Sequence, residues 1–324
     1  MVREEIGRSV QRWYITFHGG QARHDWNNIH IFDLDGKPLG KALETHALPD
    51  DVELRELRGF AFGPDGDLYV TNAYRQSSQV LRFGGVPGSD GRHPFRGVFV
   101  EQHHANPGLC HPFDVAFGPD QHLYIPSQDT NVVGRYFGPH AASGAPGDPM
   151  PHPPALKEHD PAALLPGTFV PSVDVAPLGV RTVRGAIFGP DGDLYVADRD
   201  TDRIKRYDGK TGELLREYRH HHLTTPIHLL FRPGDGKLLA GSRDRNAVLA
   251  IDPATGDVSH LIGPNAHGLK EPAGLALGPD AKLYVGSRGT KQILRFDAHT
   301  GAPDPHPFID GLHDFPEFIE LVEL

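Results

Sequence analysis

Three residue types in this sequence recur at places where they could do chemistry. Histidines His46, His103, His104, His111, His220, His221, His222, His267 and His313 lie in connections ahead of short apolar segments. His18 follows such a segment and His228 lies inside one. Imidazole does acid/base work near neutral pH and ligates metals. Arginine recurs with similar regularity: Arg199 in ADRD, Arg243 in GSRD and Arg288 in GSRG follow apolar segments, while Arg58 and Arg184 begin others. Guanidinium groups bind carboxylate or phosphate bidentately. Glu317 and Asp114 stand near the starts of two further segments, and a buried carboxylate must be paired, protonated or bound to metal. The candidates are therefore His228, Glu317 and Asp114 for catalysis, and Arg58, Arg184, Arg199, Arg243, Arg288 and His18 for substrate binding. His228, Glu317 and His111 could hold one divalent ion, Ca, Mg or Zn, and nothing points to an organic cofactor. Plainer roles stand beside these. The histidines could hydrogen-bond loop backbone, and the arginines could bridge to Asp198, Asp200 and Asp244 or to the carboxylates above. Cys110, beside His111, reads as a nucleophile or as a small buried residue.

The segments that must position these groups are repeats. One phrase recurs as RGFAFGPDGDLYVTN (58–72), PFDVAFGPDQHLYIPS (112–127), RGAIFGPDGDLYVAD (184–198), PIHLLFRPGDGKLLAGS (226–242) and PAGLALGPDAKLYVGS (272–287). Each copy is a short apolar strand, a Gly/Pro/Asp turn and a second strand. Proline fixes φ and glycine permits the turn. A third strand follows (QVLRF, VVGRYF, RIKRYD, AVLAID, QILRFD), then a weaker fourth (FRGVFV, PGTFV, LLREY, VSHLIG, PHPFID). Four antiparallel strands per repeat mark a propeller blade. We letter them A to D from the axis outward. Strand A ends at Phe62, Phe117, Phe188, Phe231 and Leu277, with spacings of 55, 71, 43 and 46 residues.

The ends of the sequence set the count. WYITF (13–17), NIHIFDLDG (28–36) and LGKALE (39–44) read as strands B, C and D without an A, and FPEFIELVEL (315–324) as an A with nothing after it. Leu321 lies 44 residues after Leu277, in register. The last strand thus completes the first blade and closes a single all-β, six-bladed β-propeller over 1–324, hiding both sheet edges.

This topology assigns faces. Strand A begins at the upper mouth of the channel, with the B–C loops and D-to-A connections around it. The five arginines form a positive collar there, and His18, His228, Asp114 and Glu317 lie near it. Residues 138–167 hold eight prolines between strands C and D of the third blade. They are expected on the bottom face, extended over the surface, as a partner or dimer contact.

Composition narrows the partners. The formal charge is −10 without a Lys/Arg block, which disfavours nucleic acid. A single cysteine excludes an intramolecular disulfide. No apolar run of membrane-spanning length occurs, and MVREEIGRSVQRWYIT lacks a signal-peptide core. The expectation is a soluble cytoplasmic monomer or homodimer, with no membrane partner.

The motif P-x-G-[apolar]…G-P-D-G-x-L-Y-V-[A/T]-[D/N]…[I/V]-x-R-[F/Y] covers nearly the whole chain and resembles the NHL-repeat family and its relatives. Virginiamycin B lyases are similar. That resemblance implies a metal and catalytic histidine and glutamate at the mouth, with His228 and Glu317 near the equivalent places. Here LYV replaces the Trp-containing form and no P-H begins a strand A. The gluconolactonase-like group implies Glu, Asn and Asp around calcium. Glu317 and Asp114 match in part, and the strand-A asparagine is absent. Peptidylglycine amidating lyases, with a His-bound zinc, share the blade pattern but not its P-H strand starts. The resulting expectation is a lyase or hydrolase acting on a small anionic molecule at the upper mouth, with or without metal assistance. The alternative is a non-catalytic NHL-type propeller that binds a protein or small ligand.

Overall fold

The computed structural model describes residues 10–19, 24–74 and 78–324. The stretch 1–9, part of the segment in which a leader was sought, lies outside them. The first blade holds β1 (Gln11–Phe17), β2 (His30–Phe32) and β3 (Pro38–Lys41), and the second β4 (Leu57–Phe62), β5 (Leu68–Asn72), β6 (Gln79–Phe83) and β7 (Phe95–Glu101). The third holds β8 (Ala116–Phe117), β9 (Leu123–Ser127), β10 (Val132–Tyr136) and β11 (Thr168–Val170). The fourth holds β12 (Val183–Phe188), β13 (Leu194–Asp198), β14 (Arg203–Tyr207) and β15 (Leu214–Tyr218). The fifth holds β16 (Pro226–Phe231), β17 (Leu238–Ser242), β18 (Ala247–Ile251) and β19 (Val258–Ile262). The sixth holds β20 (Pro272–Leu277), β21 (Lys282–Ser287) and β22 (Gln292–Asp297). The final strand, β23 (Pro316–Glu323), joins the first blade in the order β23-β1-β2-β3. It pairs antiparallel with β1 from Gln11↔Glu323 to Phe17↔Pro316. The six-bladed ring is therefore closed as its repeat register requires.

The repeated GPDGxLY phrase is a structural device. The residue after each turn aspartate has positive φ: Gly66 at 80°, Gln121 at 62°, Gly192 at 81° and Ala281 at 57°. The tyrosine of the second strand donates its hydroxyl to that aspartate, as in Tyr69 to Asp65 (2.9 Å) and Tyr195 to Asp191 (2.8 Å). Its ring packs edge-on against the strand-A phenylalanine of the next blade: Tyr69 on Phe117, Tyr124 on Phe188 and Tyr195 on Phe231, with centroids 4.7–5.0 Å apart. The motif thus ties each turn to its own blade and each blade to the next.

Two strands are shorter than their sequences suggest. PHPFID, expected as the sixth blade's fourth strand, makes only the isolated bridge Ile293↔Ile309, and Pro303 just ahead of it bridges Phe296. Pro303, Pro305 and Pro307 bring no N–H to a ladder. β8 is reduced to two residues beyond a lone Pro112↔Ser127 bridge. The carbonyl of Pro126 on β9 accepts from Phe113 N (2.9 Å), but proline has no donor to return. The 138–167 segment leaves β10 at the end shared with the A–B turns. It folds back on that strand (Phe137 N to Asp148 O, 2.9 Å) and reaches the fourth blade (Ala155 N to Thr211 O, 2.9 Å). It carries two short 3-10 turns, so its form is less extended than expected.

Candidate functional site

The innermost strands break their pairing where they meet the channel mouth. The register skips between Leu57 and Phe60, Val183 and Ala186, Pro226 and Leu229, and Pro272 and Leu275. Such an interruption frees two successive side chains to be re-aimed. The first residue of each break is Arg58, Arg184, Ile227 and Ala273; Phe113, after the lone Pro112 bridge, and Glu317, the single residue skipped on β23, hold the same place in the other two blades. All but Ala273 line one cavity of about 280 Å³, together with His18, His111, Arg199, Arg243 and Arg288.

The second contribution comes from residues that immediately follow each blade's second strand. His18, Arg199, Arg243 and Arg288 donate their backbone N–H to Phe315, Thr182, Thr225 and Glu271, respectively, at 2.9–3.3 Å. Each acceptor sits just ahead of an inner strand. Four residues at this position take left-handed backbone: Glu56 (φ 52°), His111 (54°), Thr225 (48°) and Glu271 (49°). Non-glycine residues adopt that region at a cost and gather at binding and catalytic sites.

Three carboxylates serve part of the collar. Glu317 Oε1 lies 2.9 Å from Arg288 Nη2 and 3.2 Å from His18 Nδ1, the latter off the hydrogen-bond axis. Burial would raise its carboxyl, but His18, Arg288 and Arg58 together hold it well below the usual range. Arg58 donates to His18 O (2.7 Å) and Glu56 Oε2 (3.2 Å). Arg243 donates to Glu271 Oε2 (3.1 Å), which also lies 3.6 Å from Arg288 Nη1. Arg184 and Arg199 differ. Among the described residues, neither side chain makes a hydrogen bond to protein, whereas the Nε atoms of all four of Arg184, Arg199, Arg243 and Arg288 are buried without a partner. Arg184 stacks on the Phe113 ring, 4.5 Å from its centroid. Burial, then the neighbouring Arg199, lowers its pKa to about 9. His111 also lacks a hydrogen bond at either ring nitrogen. Burial, then Arg58, lowers it to about 4, so it is neutral at pH 7.

Beneath the collar, the residues that follow alternate small and large: Gly59, Asp114, Gly185, His228, Gly274 and Phe318. A Cβ on Gly59 would lie 2.3 Å from Asp114 Oδ1, one on Gly185 2.6 Å from Ile227 O, and one on Gly274 2.7 Å from Ile319 N. Three glycines therefore make room for three larger neighbours that close the floor. The His228 ring packs between Phe113 and Phe318, with centroids 5.5 and 5.3 Å away.

No protein-family model matches the chain. A virginiamycin B lyase structure from Staphylococcus aureus superposes with a TM-score of 0.53 at 15% identity, covering 89% of this chain and 85% of that one. The chain shares its fold with virginiamycin B lyase. A chain of the nidogen/laminin complex superposes with a TM-score of 0.62 at 14% identity, covering 96% of this chain and 98% of that one. The same fold therefore occurs in a lyase and in a complex of two proteins, and it does not decide between them. In sequence, the chain is similar to peptidyl-glycine alpha-amidating monooxygenase B of Xenopus laevis, 26% identical over 112 residues. That match spans 32% of this chain and 13% of the Xenopus protein.

Against the virginiamycin B lyase resemblance, the expected residues divide. The structure brings Arg58, Arg184, Arg199, Arg243, Arg288, His18, His111 and Glu317 to one cavity. His228 is buried below it, with Nε2 unpartnered; burial brings it to about pKa 4. Asp114 is not at the mouth. Its carboxylate turns into the floor and accepts from Val115 N (2.9 Å) and Ala186 N (3.3 Å). Gly59 leaves it that space, and burial pushes it up to about 7. Among the described residues, no three His, Cys, Asp or Glu side chains converge to hold a metal. Asp198 pairs with Lys205 rather than an arginine (3.0 Å), and Asp244 accepts from Thr225 (2.6 Å). His46 pairs with Glu44 at the surface, and His220, His221 and His222 lie against one another, His222 also against His260, away from the cavity. Glu56, Glu271 and Phe113 were missed in the sequence. They stand at or next to the aligned strand-A starts, and reading every repeat at those two positions would have found them.

Proposed function

We propose that the channel mouth binds a small anionic molecule and that the chain acts on it as a lyase or hydrolase. The observation that carries this reading is Arg184, a largely buried guanidinium with no acidic partner among the described residues. A cation held away from water needs a counter-charge, and a recessed pocket focuses its field on an incoming anion. Arg199, Arg243 and Arg58 surround the same space. His111 suits proton transfer, since both ring nitrogens are without hydrogen-bond partners and it is neutral at pH 7. An anion that offsets Arg58 and Arg184 would raise its basicity toward neutrality as the substrate arrives. Glu317 suits a positioning role, because a carboxylate held so firmly ionised is a weak base.

A divalent ion fits this donor set poorly. Glu317, the one carboxylate among the described residues that line the cavity, is already met by Arg288 and His18, and five guanidiniums repel an added cation. Non-catalytic binding is the second reading. It is favoured by the engagement of Glu317 and the removal of His228 and Asp114 to the floor.

Titration calorimetry against short carboxylates and phosphates tests the proposal. The double variant Arg184→Ala/Arg199→Ala should weaken binding at least ~100-fold, given ~1.5–3 kcal/mol for each charged hydrogen-bonding group. Wild-type affinity in that variant would refute the anion site. His111→Gln should keep affinity and lose turnover; unchanged turnover would remove His111 from the chemistry.

A further inference from the structure

The collar does not need the same thing at every point of the ring. Glu56, Glu271 and Glu317 serve Arg58, Arg243 and Arg288 at 2.9–3.2 Å. The two arginines left over belong to one blade: Arg184 lies on β12 and Arg199 directly follows β13. They are close enough that Arg199 is the leading charge acting against Arg184. The acid acting on Arg184 is Glu317, already met by Arg288 and His18. Asp200 lies 3.6 Å from Arg199 Nε, beyond hydrogen-bond reach and 46% exposed. Water screens such a contact. The Arg184 guanidinium lies over the Phe113 ring, and none of its donors bonds to the described residues.

Resting on the anion-binding reading above, we infer that the ligand is a dianion, a phosphoryl group or a short dicarboxylate, clamped between Arg184 and Arg199. A monoanion would satisfy one guanidinium and leave the other without a counter-charge in contact. The cavity is about 280 Å³, the volume of about nine waters at ~30 Å³ each. It therefore suits a phosphomonoester or dicarboxylate of small size, and excludes a nucleotide held entirely inside.

The test compares ions matched in shape and differing in charge, at constant ionic strength and pH 7.5. Sulfate is titrated against methanesulfonate, and succinate against butyrate, into the full chain. At least one dianion should bind ten-fold or more tighter than its monoanionic partner. A preference in the sulfate pair assigns a phosphoryl-type ligand, and one in the succinate pair a dicarboxylate. Arg184→Gln and the more exposed Arg199→Gln should each erase the preference, and Arg184→Lys, which keeps the charge without the fork, should retain part of it. Thermal melts confirm that the variants are folded. Equal binding within both pairs, or a preference intact in both Gln variants, overturns the dianion inference and leaves the anion site standing. If none of the four ions binds, both fail.

Discussion

Arg184 and Asp114 lie one layer apart, and burial acts on them in opposite senses. It disfavours charge in both, so the arginine calls for an anion and the carboxyl keeps its proton. Asp114 is pushed up from 3.8 to about 7, burial outweighing the amides of Val115 and Ala186. Glu320, deeper in the channel, is raised to about 7 by burial and by Asp114 itself. The folded protein therefore holds protons that the unfolded chain releases. The stabilisation this gives is complete below the unfolded value and is lost as pH rises through about 7. An amide at this position has no proton to lose over that range. The variant Asp114→Asn therefore isolates the effect from opposing histidines such as His111 and His228, whose pKa values are lowered. The urea midpoint of the wild-type chain, measured relative to Asp114→Asn, should fall steadily between pH 4 and 8. A flat difference would mean that Asp114 ionises normally. The collar residues were legible because they recur at fixed steps from the repeat phrase. The fate of Asp114 was not, because it depends on Gly59 in one neighbouring blade and on the Ala186 amide in the other, which no single repeat displays.

At the scale of the strand, the broken pairing at each inner strand's start does two jobs. It aims one side chain into the cavity and sets the next into the floor. The floor then closes only if large residues alternate with glycine. Gly185 is the sharpest case: its φ is ordinary, yet a Cβ would lie 2.6 Å from Ile227 O and 3.3 Å from His228 Cα. Both contacts are backbone atoms and cannot swing away. Gly185→Ala should cost ~1–3 kcal/mol by overpacking and weaken anion binding, since Arg184 is its neighbour. Gly263→Ala, with nothing within 4 Å of its Cβ, is the control and should change stability by less than ~0.5 kcal/mol. Chemical denaturation of both variants checks this, and equal midpoints would show that the floor yields. The elements themselves were legible wherever the phrase kept its tyrosine and turn. They shortened where proline withheld a donor, at β8 and at PHPFID, because strand propensity depends on apolar pattern and ladder pairing on N–H groups.

For the molecule as a whole, closure and site depend on the same strand. β23 supplies the inner strand of the first blade and, with it, Glu317 at the mouth and Phe318 in the floor. Its ladder with β1 runs the full length of that strand and continues in reciprocal bonds between Val10 and Leu324, both 3.0 Å. Removing 315–324 would expose the edge of β1 and leave Arg288 and His18 without their shared carboxylate. An exposed edge of this length recruits other chains. The truncated chain should therefore lose its cooperative thermal transition and associate. A peptide of residues 315–324, supplied in trans, should restore the transition, because strand addition needs only the vacant edge and its side-chain pockets. Restored folding with a Glu317→Gln peptide, but with weakened binding of the anion, would separate closure from the site. A truncated chain that melts as the intact one does would show that the ring holds without its closing strand.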